Sequence, residues 1–217
     1  MNKSERHAAT PGATAPRGRP RTFDRDKAVA QATLLFWRKG YAGTSIADLT
    51  AEIGIEPPSL YAAFGSKKAL FAASLQHYID RYQHAVWSKF DAAGSAREAV
   101  QAYLSDTANA LSIISPKVPR GCMVVLAGVE RESDPDLGNI TRSARAIAYE
   151  RLTARISAAV VAGELPETVD VRGLASFVQS VQNGMSIIAR DGSDREQLRM
   201  IPIAAMAAWD ALAHQPA

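Results

Sequence analysis

Residues 41–70 read YAGTSIADLTAEIGIEPPSLYAAFGSKKAL, and this stretch decides the fold because it carries start and stop signals for three successive helices. Ser45, followed three residues on by Asp48, has the form of a capping box. The hydroxyl accepts from a backbone N–H that has no helical partner, and the carboxylate sits at the positive helix end. The spacing predicts a helix from near Ile46, with Ile46, Leu49 and Ile53 on one apolar stripe and Gly54 ending it in the left-handed conformation. Pro57 suits the first turn of a new helix, where a missing N–H is no loss, and Leu60 with Phe64 gives that helix an inward face. Ser59, Tyr61, Ala62 and Ala63 are left to point elsewhere. Gly65-Ser66 breaks the chain again, and Ser66 caps a third helix that starts with Lys67 and Lys68. Lysines oppose the helix dipole at that end, and a bound phosphate would reconcile the two; a solvated surface pair is the plain alternative. A helix, a tight turn and a second short helix form the arrangement that lays one helix into the major groove of DNA.

Upstream, a helix is expected from about Asp24 to Lys39, with Val29, Ala32 and Phe36 inward and Gly40 as its stop. Ala32, Phe36, Gly40-Tyr41, Thr44-Ser45, Asp48-Leu49, Gly54, Leu60-Tyr61, Phe64 and Lys67 with Leu70 occur in order and without gaps. On these residues the segment 24–71 resembles the N-terminal DNA-binding domain of the TetR family of bacterial transcriptional regulators. The resemblance implies DNA contacts from Thr44, Ser45, Pro57, Ser59, Tyr61, Ala62, Lys67 and Lys68, with Tyr61 and Lys67 foremost. Three departures stand out. Glu56 occupies a capping position usually held by serine or threonine, Pro57 and Pro58 remove two backbone donors, and Ala62-Ala63 replaces positions that are frequently polar. Base reading here is expected to lean on methyl contacts with thymine as well as on hydrogen bonds.

Charge is divided unevenly along the 217 residues. Residues 1–71 hold 11 Lys and Arg against 6 Asp and Glu, a net of +5, so the remainder of the overall +3 is −2. A polyanion partner for the first third is the natural reading. Residues 1–22 are rich in Ala, Pro, Gly, Thr and Arg and are expected to be a flexible basic arm, in which Arg19 and Arg21 reach the minor groove; a solubilising tail is the alternative. One cysteine, Cys122, excludes an internal disulfide, and four scattered histidines give no metal spacing, so neither a metal nor a cofactor is expected. With no apolar leader and no apolar run long enough to span a bilayer, the expected location is cytoplasmic and no membrane partner is expected.

Beyond Lys67 the pattern predicts a long helix to about Asp91, then helices over about 96–114, 122–131, 136–161, 171–190 and 194–213, separated by Pro and Gly breakers. No strand pattern is found, and the fold class is all-α. The expected division is an arm over 1–22, a helix-turn-helix domain over 23–70 and a helical regulatory and dimerisation domain over 71–217. The resemblance implies a homodimer and a small-molecule pocket in that last part. For the dimer, Leu174, Phe177, Val178, Val181, Met185, Ile188, Ile201, Ala205 and Trp209 lie beside small Ser180, Gly184, Ala204 and Ala208 on the last two helices. They fit either a four-helix interface or simple closure of the monomer core. For the pocket, Trp87, Tyr103, Cys122, Met123, Tyr149 and Phe177 are large or polarizable side chains, and Gln179 and Asn183 supply hydrogen bonds; the set points to an apolar or aromatic effector. Arg120 beside Cys122 raises an alternative trigger, a thiol of lowered pKa that senses oxidants or electrophiles.

The resemblance thus implies a dimeric regulator on a palindromic operator in double-stranded DNA, a repressor by family habit, released by a small molecule. An all-helical enzyme lacks support, since no phosphate loop, nucleophile elbow, metal pair or triad pattern is present. An architectural DNA protein would need cationic surface along much more of the chain.

Overall fold

The computed structural model describes residues 23–113, 115, 117–127 and 135–213. Among these are nine helices and no strand longer than an isolated bridge between Ser115 and Val118. In order they are α1 (Arg25–Lys39), α2 (Ile46–Ile53), α3 (Pro57–Phe64), α4 (Lys67–Ala92), α5 (Ala96–Leu111), α6 (Met123–Ala127), α7 (Pro135–Val161), α8 (Val171–Arg190) and α9 (Arg195–Ala213). Several predicted boundaries shift. The helix expected to reach residue 114 ends at Leu111, and the one expected over 122–131 is described only as Met123–Ala127. The last helix starts one residue later, at Arg195, and α7 one residue earlier, at Pro135.

Local chemistry explains the N-terminal elements. The Asp24 carboxylate accepts from the Lys27 N–H at 3.0 Å to cap α1, and Gly40, at φ 75°, ends it. Ser45 and Asp48 close the capping box in both directions, at 2.8 and 3.0 Å. Lys39 reaches the other Asp48 oxygen at 2.7 Å, and with these hydrogen bonds it holds that carboxyl well below its ordinary value. Gly54 turns the chain at φ 78°, a left-handed conformation that costs glycine nothing. Glu56 stands before α3 without a side-chain capping bond, as a poor capping residue should.

Two hydrophobic clusters organise the packing. The first joins α1, α2, α3 and the first half of α4, with Phe36, Leu49, Leu60 and Phe71 inside it, and it extends to Met123, Val124 and Leu137. The second fills the space among α5, α7, α8, α9 and the last part of α4, around Trp87, Leu104, Ile156 and Trp209. Helix α4 runs through both, so it ties the two clusters with one rigid rod. Helix α1 buries Ala28, Val29, Thr33, Leu35 and Trp37 besides Ala32 and Phe36. Such all-round burial marks a helix held between neighbours, here α4, α2 and α6.

Candidate DNA-reading face and effector cavity

Helix α3 has two sides with different fates. Leu60 is fully buried and Phe64 is 7% exposed, which fixes the helix on the first cluster. Pro57, Pro58, Ser59, Tyr61 and Ala62 are exposed, Tyr61 by 47% of its area. Ser45 opens α2 on the surface as well. Thr44 is placed differently: it is fully buried, and its hydroxyl donates to the Gly40 carbonyl at 2.6 Å, so its role is to brace the turn. The two lysines at the start of α4 already have interactions. Lys67 Nζ lies 4.2 Å from the centre of the Tyr41 ring, and Lys68 Nζ meets an Asp136 carboxylate oxygen at 2.9 Å. An exposed pair of that kind contributes little stability and leaves the ammonium exchangeable toward phosphate. Arg19 and Arg21 lie outside the described residues. The chain enters the described part at Phe23, whose ring meets that of Phe64 at 6.0 Å, beside the end of α3.

A cavity of about 270 Å³ lies among α4, α5, α7 and α8 and is closed by residues 118–122. Its wall brings together Trp87, Tyr103, Cys122, Gln179 and Asn183 of the eight predicted effector residues. The other three are not on it: Met123 is buried in the first cluster, and Tyr149 and Phe177 pack partly buried against the second. Gln179 has a partner of its own, since its amide donates to the Arg145 carbonyl at 3.0 Å. Tyr78 and Tyr103 line the cavity as neutral phenols, because burial pushes both hydroxyls well above their ordinary range. The Cys122 thiol is beside Tyr78, and the Cys122 N–H donates to the Ser186 hydroxyl at 2.6 Å. The neighbouring Arg120 guanidinium donates to the Ser193 carbonyl.

Sequence reasoning missed Trp37. This α1 residue forms part of the cavity wall, and its indole N–H donates to the Gly121 carbonyl at 3.0 Å. Gly121 has φ 82°, and an added Cβ would stand 2.9 Å from the Ser186 carbonyl oxygen, so no other residue fits that corner. Arg190, at the end of α8, completes the junction by donating to the Arg38 carbonyl at 2.6 Å and, at 3.4 Å, to the Arg120 carbonyl. The end of α1 is therefore fastened directly to the cavity's closing loop. The available signal was the Phe36-Trp37 pair: adjacent positions on a helix point about 100° apart, so the second ring needed partners different from those of the first.

The family model for bacterial regulatory proteins of the tetR family matches residues 28–74. The HTH-type transcriptional repressor ComR of Escherichia coli (strain K12) is 36% identical over 199 residues, spanning 90% of this chain and 93% of that protein. The chain belongs to the TetR family. It is accordingly a transcriptional regulator with the all-α TetR fold. The HTH-type transcriptional repressor BdcR of the same organism is 33% identical, over 83% of this chain and 86% of its own length. Among solved structures, a cysteine mutant of the TetR family transcriptional regulator CifR, complexed with 26 bp double-strand operator DNA, is 37% identical. It superposes with a TM-score of 0.80 over 88% of this chain and all of that one.

Proposed function

We propose that this regulator is a dimeric, ligand-released repressor that acts in the cytoplasm. In this reading residues 23–70 bind the operator and 71–217 bind effector and partner, with the arm over 1–22 carrying Arg19 and Arg21 into the minor groove. The observation that carries the DNA half is the two-sided burial of α3: Leu60 and Phe64 anchor it, and Ser59, Tyr61 and Ala62 are left free to meet bases. Ser45 and the lysines at 67 and 68 would position the phosphate backbone. The names of the relatives support repression, and none is an enzyme by name.

Exposed apolar surface supports the dimer. On α8 Ser180, Gly184 and Ile187 share one exposed face, and on α9 Met200, Ile203, Ala204 and Ala207 share another, with Ile203 63% exposed. Of the residues first assigned to this surface, Leu174, Val178, Met185, Ala205 and Trp209 instead face inward and close the second cluster. A symmetric dimer must present its two α3 helices about 34 Å apart, or a small multiple of that. A ligand in the cavity would displace α4 and, through Trp37, α1, and so spoil that spacing.

Capture of genomic fragments by the purified protein tests the reading. One palindrome enriched at fixed salt, and lost on adding effector, is the expected result; equal retention of all fragments would sink it. A second reading makes Cys122 the trigger, and the position of the thiol on the cavity wall favours it. A Cys122→Ser protein that still leaves DNA after peroxide or quinone treatment removes that reading.

A further inference from the structure

Unsatisfied polar groups collect at the cavity. Five side-chain atoms of the described residues are buried without a hydrogen-bond partner, and three of them, Thr107 Oγ1, Asn183 Oδ1 and Arg120 Nε, belong to the cavity wall. Thr107 is 4% exposed. A native fold leaves few such groups, and their concentration at one site indicates partners that arrive with a ligand. Asn183 is one helical turn before Ser186, which holds Cys122. At 1.5 Å per residue it therefore lies roughly 4.5 Å along α8 from the loop that carries Arg120.

Two ligand chemistries compete for a cavity with five aromatic residues: a cation caged by rings, or an anion held by guanidinium. Among the described residues the wall contains Arg120 and Arg145 and no Asp, Glu, Lys or His. Of the two, Arg120 belongs to the closing loop; its guanidinium donates to the Ser193 carbonyl and pairs with no carboxylate among the described residues. At an effective dielectric near 20, one guanidinium about 8 Å away weakens a bound cation roughly thirtyfold. A ring face returns roughly twofold to thirtyfold, and the Trp87 face is already covered by Arg151 at 4.3 Å. The Arg120 guanidinium thus offsets what a ring returns to a cation, whereas it strengthens an anion by the same factor. Size narrows the class further: an apolar cavity of about 150 Å³ accepts a benzene ring, so about 270 Å³ admits one ring with polar substituents at its ends.

We propose that the effector is a small aromatic carboxylate, with its ring among Tyr78, Trp87 and Tyr103 and its carboxylate accepting from Arg120 Nε–H and the Thr107 hydroxyl, while Asn183 Oδ1, an acceptor, takes a donor substituent of the ring. The proposal rests on the reading of the cavity as the effector site. A matched series tests it: 4-hydroxybenzoate, 4-hydroxybenzyl alcohol and 4-hydroxybenzylamine, titrated into the full chain and followed by isothermal titration calorimetry. The carboxylate should bind at least tenfold more tightly than the alcohol, and the amine most weakly. Arg120→Gln should lower affinity for the carboxylate about tenfold and leave the alcohol within twofold, whereas Arg120→Lys keeps most of the preference. Thr107→Val, which keeps the shape and removes the hydroxyl, should weaken the carboxylate without unfolding the protein. Indole, a neutral ring, separates the two levels of the argument. If indole binds and 4-hydroxybenzoate binds no better than its alcohol or amine, the carboxylate assignment is overturned and the cavity reading survives. If neither indole nor the three probes bind at millimolar concentration, both fall.

Discussion

Trp37→Phe is the perturbation that tests whether the cavity and the DNA-reading unit communicate through α1. Trp37 is 6% exposed, its rings contact Tyr78 and Tyr82 with centroids 4.8 and 5.4 Å apart, and its N–H holds the Gly121 carbonyl at 3.0 Å. Phenylalanine keeps one ring in that aromatic cluster and deletes the donor. The lost hydrogen bond is worth about 1 kcal/mol net, and the smaller buried ring costs about another 1–2 kcal/mol, so the protein should lose about 2–3 kcal/mol of stability and remain folded. Coupling between effector and DNA sites in proteins of this kind spans about 1–3 kcal/mol. If the Trp37–Gly121 bond carries about 1 kcal/mol of it, the ratio of operator affinities without and with ligand should shrink about fivefold. The assay is fluorescence anisotropy of a labelled operator fragment, titrated with and without saturating ligand. Val29→Ala is the control: it is on the same helix and 6% exposed, its side chain can make no hydrogen bond to the closing loop, and it should cost about 2 kcal/mol of stability with the ratio unchanged. Equal ratios for Trp37→Phe and Val29→Ala would refute the coupling route and leave Trp37 a core residue.

Four other outcomes follow from the same geometry. Lys67→Ala should weaken binding to all DNA sequences alike and, with one lysine from each of two protomers, reduce the salt-dependence slope by about 1.8; an unchanged slope would remove Lys67 from the phosphate contacts. Leu60→Ala, at a fully buried position, should cost about 2–5 kcal/mol and release α3, seen as a lowered Tm together with lost operator binding. Ile203→Glu, on the exposed α9 face, should change monomer stability by no more than about 0.5 kcal/mol and shift sedimentation from dimer to monomer. For Asp48 the folded-state pKa lies below the ordinary 3.8, so its contribution is present above that value and disappears as pH falls below it. Asp48→Asn should therefore flatten the acid limb of the stability curve and leave neutral pH less affected by further acidification.

What could be read from the sequence follows the range of each interaction. The caps at Ser45, Gly54 and Ser66 act within four residues, so the order and type of the N-terminal helices were legible, and α8 was placed at both ends. Rotational facts were less so. Cys122 lines the cavity and Met123, one step on, turns into the first cluster; Ala148 lines it and Tyr149 does not. A helix rotates about 100° per residue, and composition alone cannot set that angle without knowing which neighbour the helix meets. The last two helices show the same ambiguity on a larger scale: Leu174 and Val178 on one side of α8, and Gly184 with Ile187 on another, are both apolar faces, and only packing shows which one the monomer uses. Trp37 lay furthest from view, because its partner Gly121 is 84 residues away. That separation also bears on function. In the proposed reading, a wall residue belonging to α1 lets ligand and operator bias the same helix, so changing a residue that fastens α1 to the closing loop, Arg190 included, should change the coupling between the two affinities.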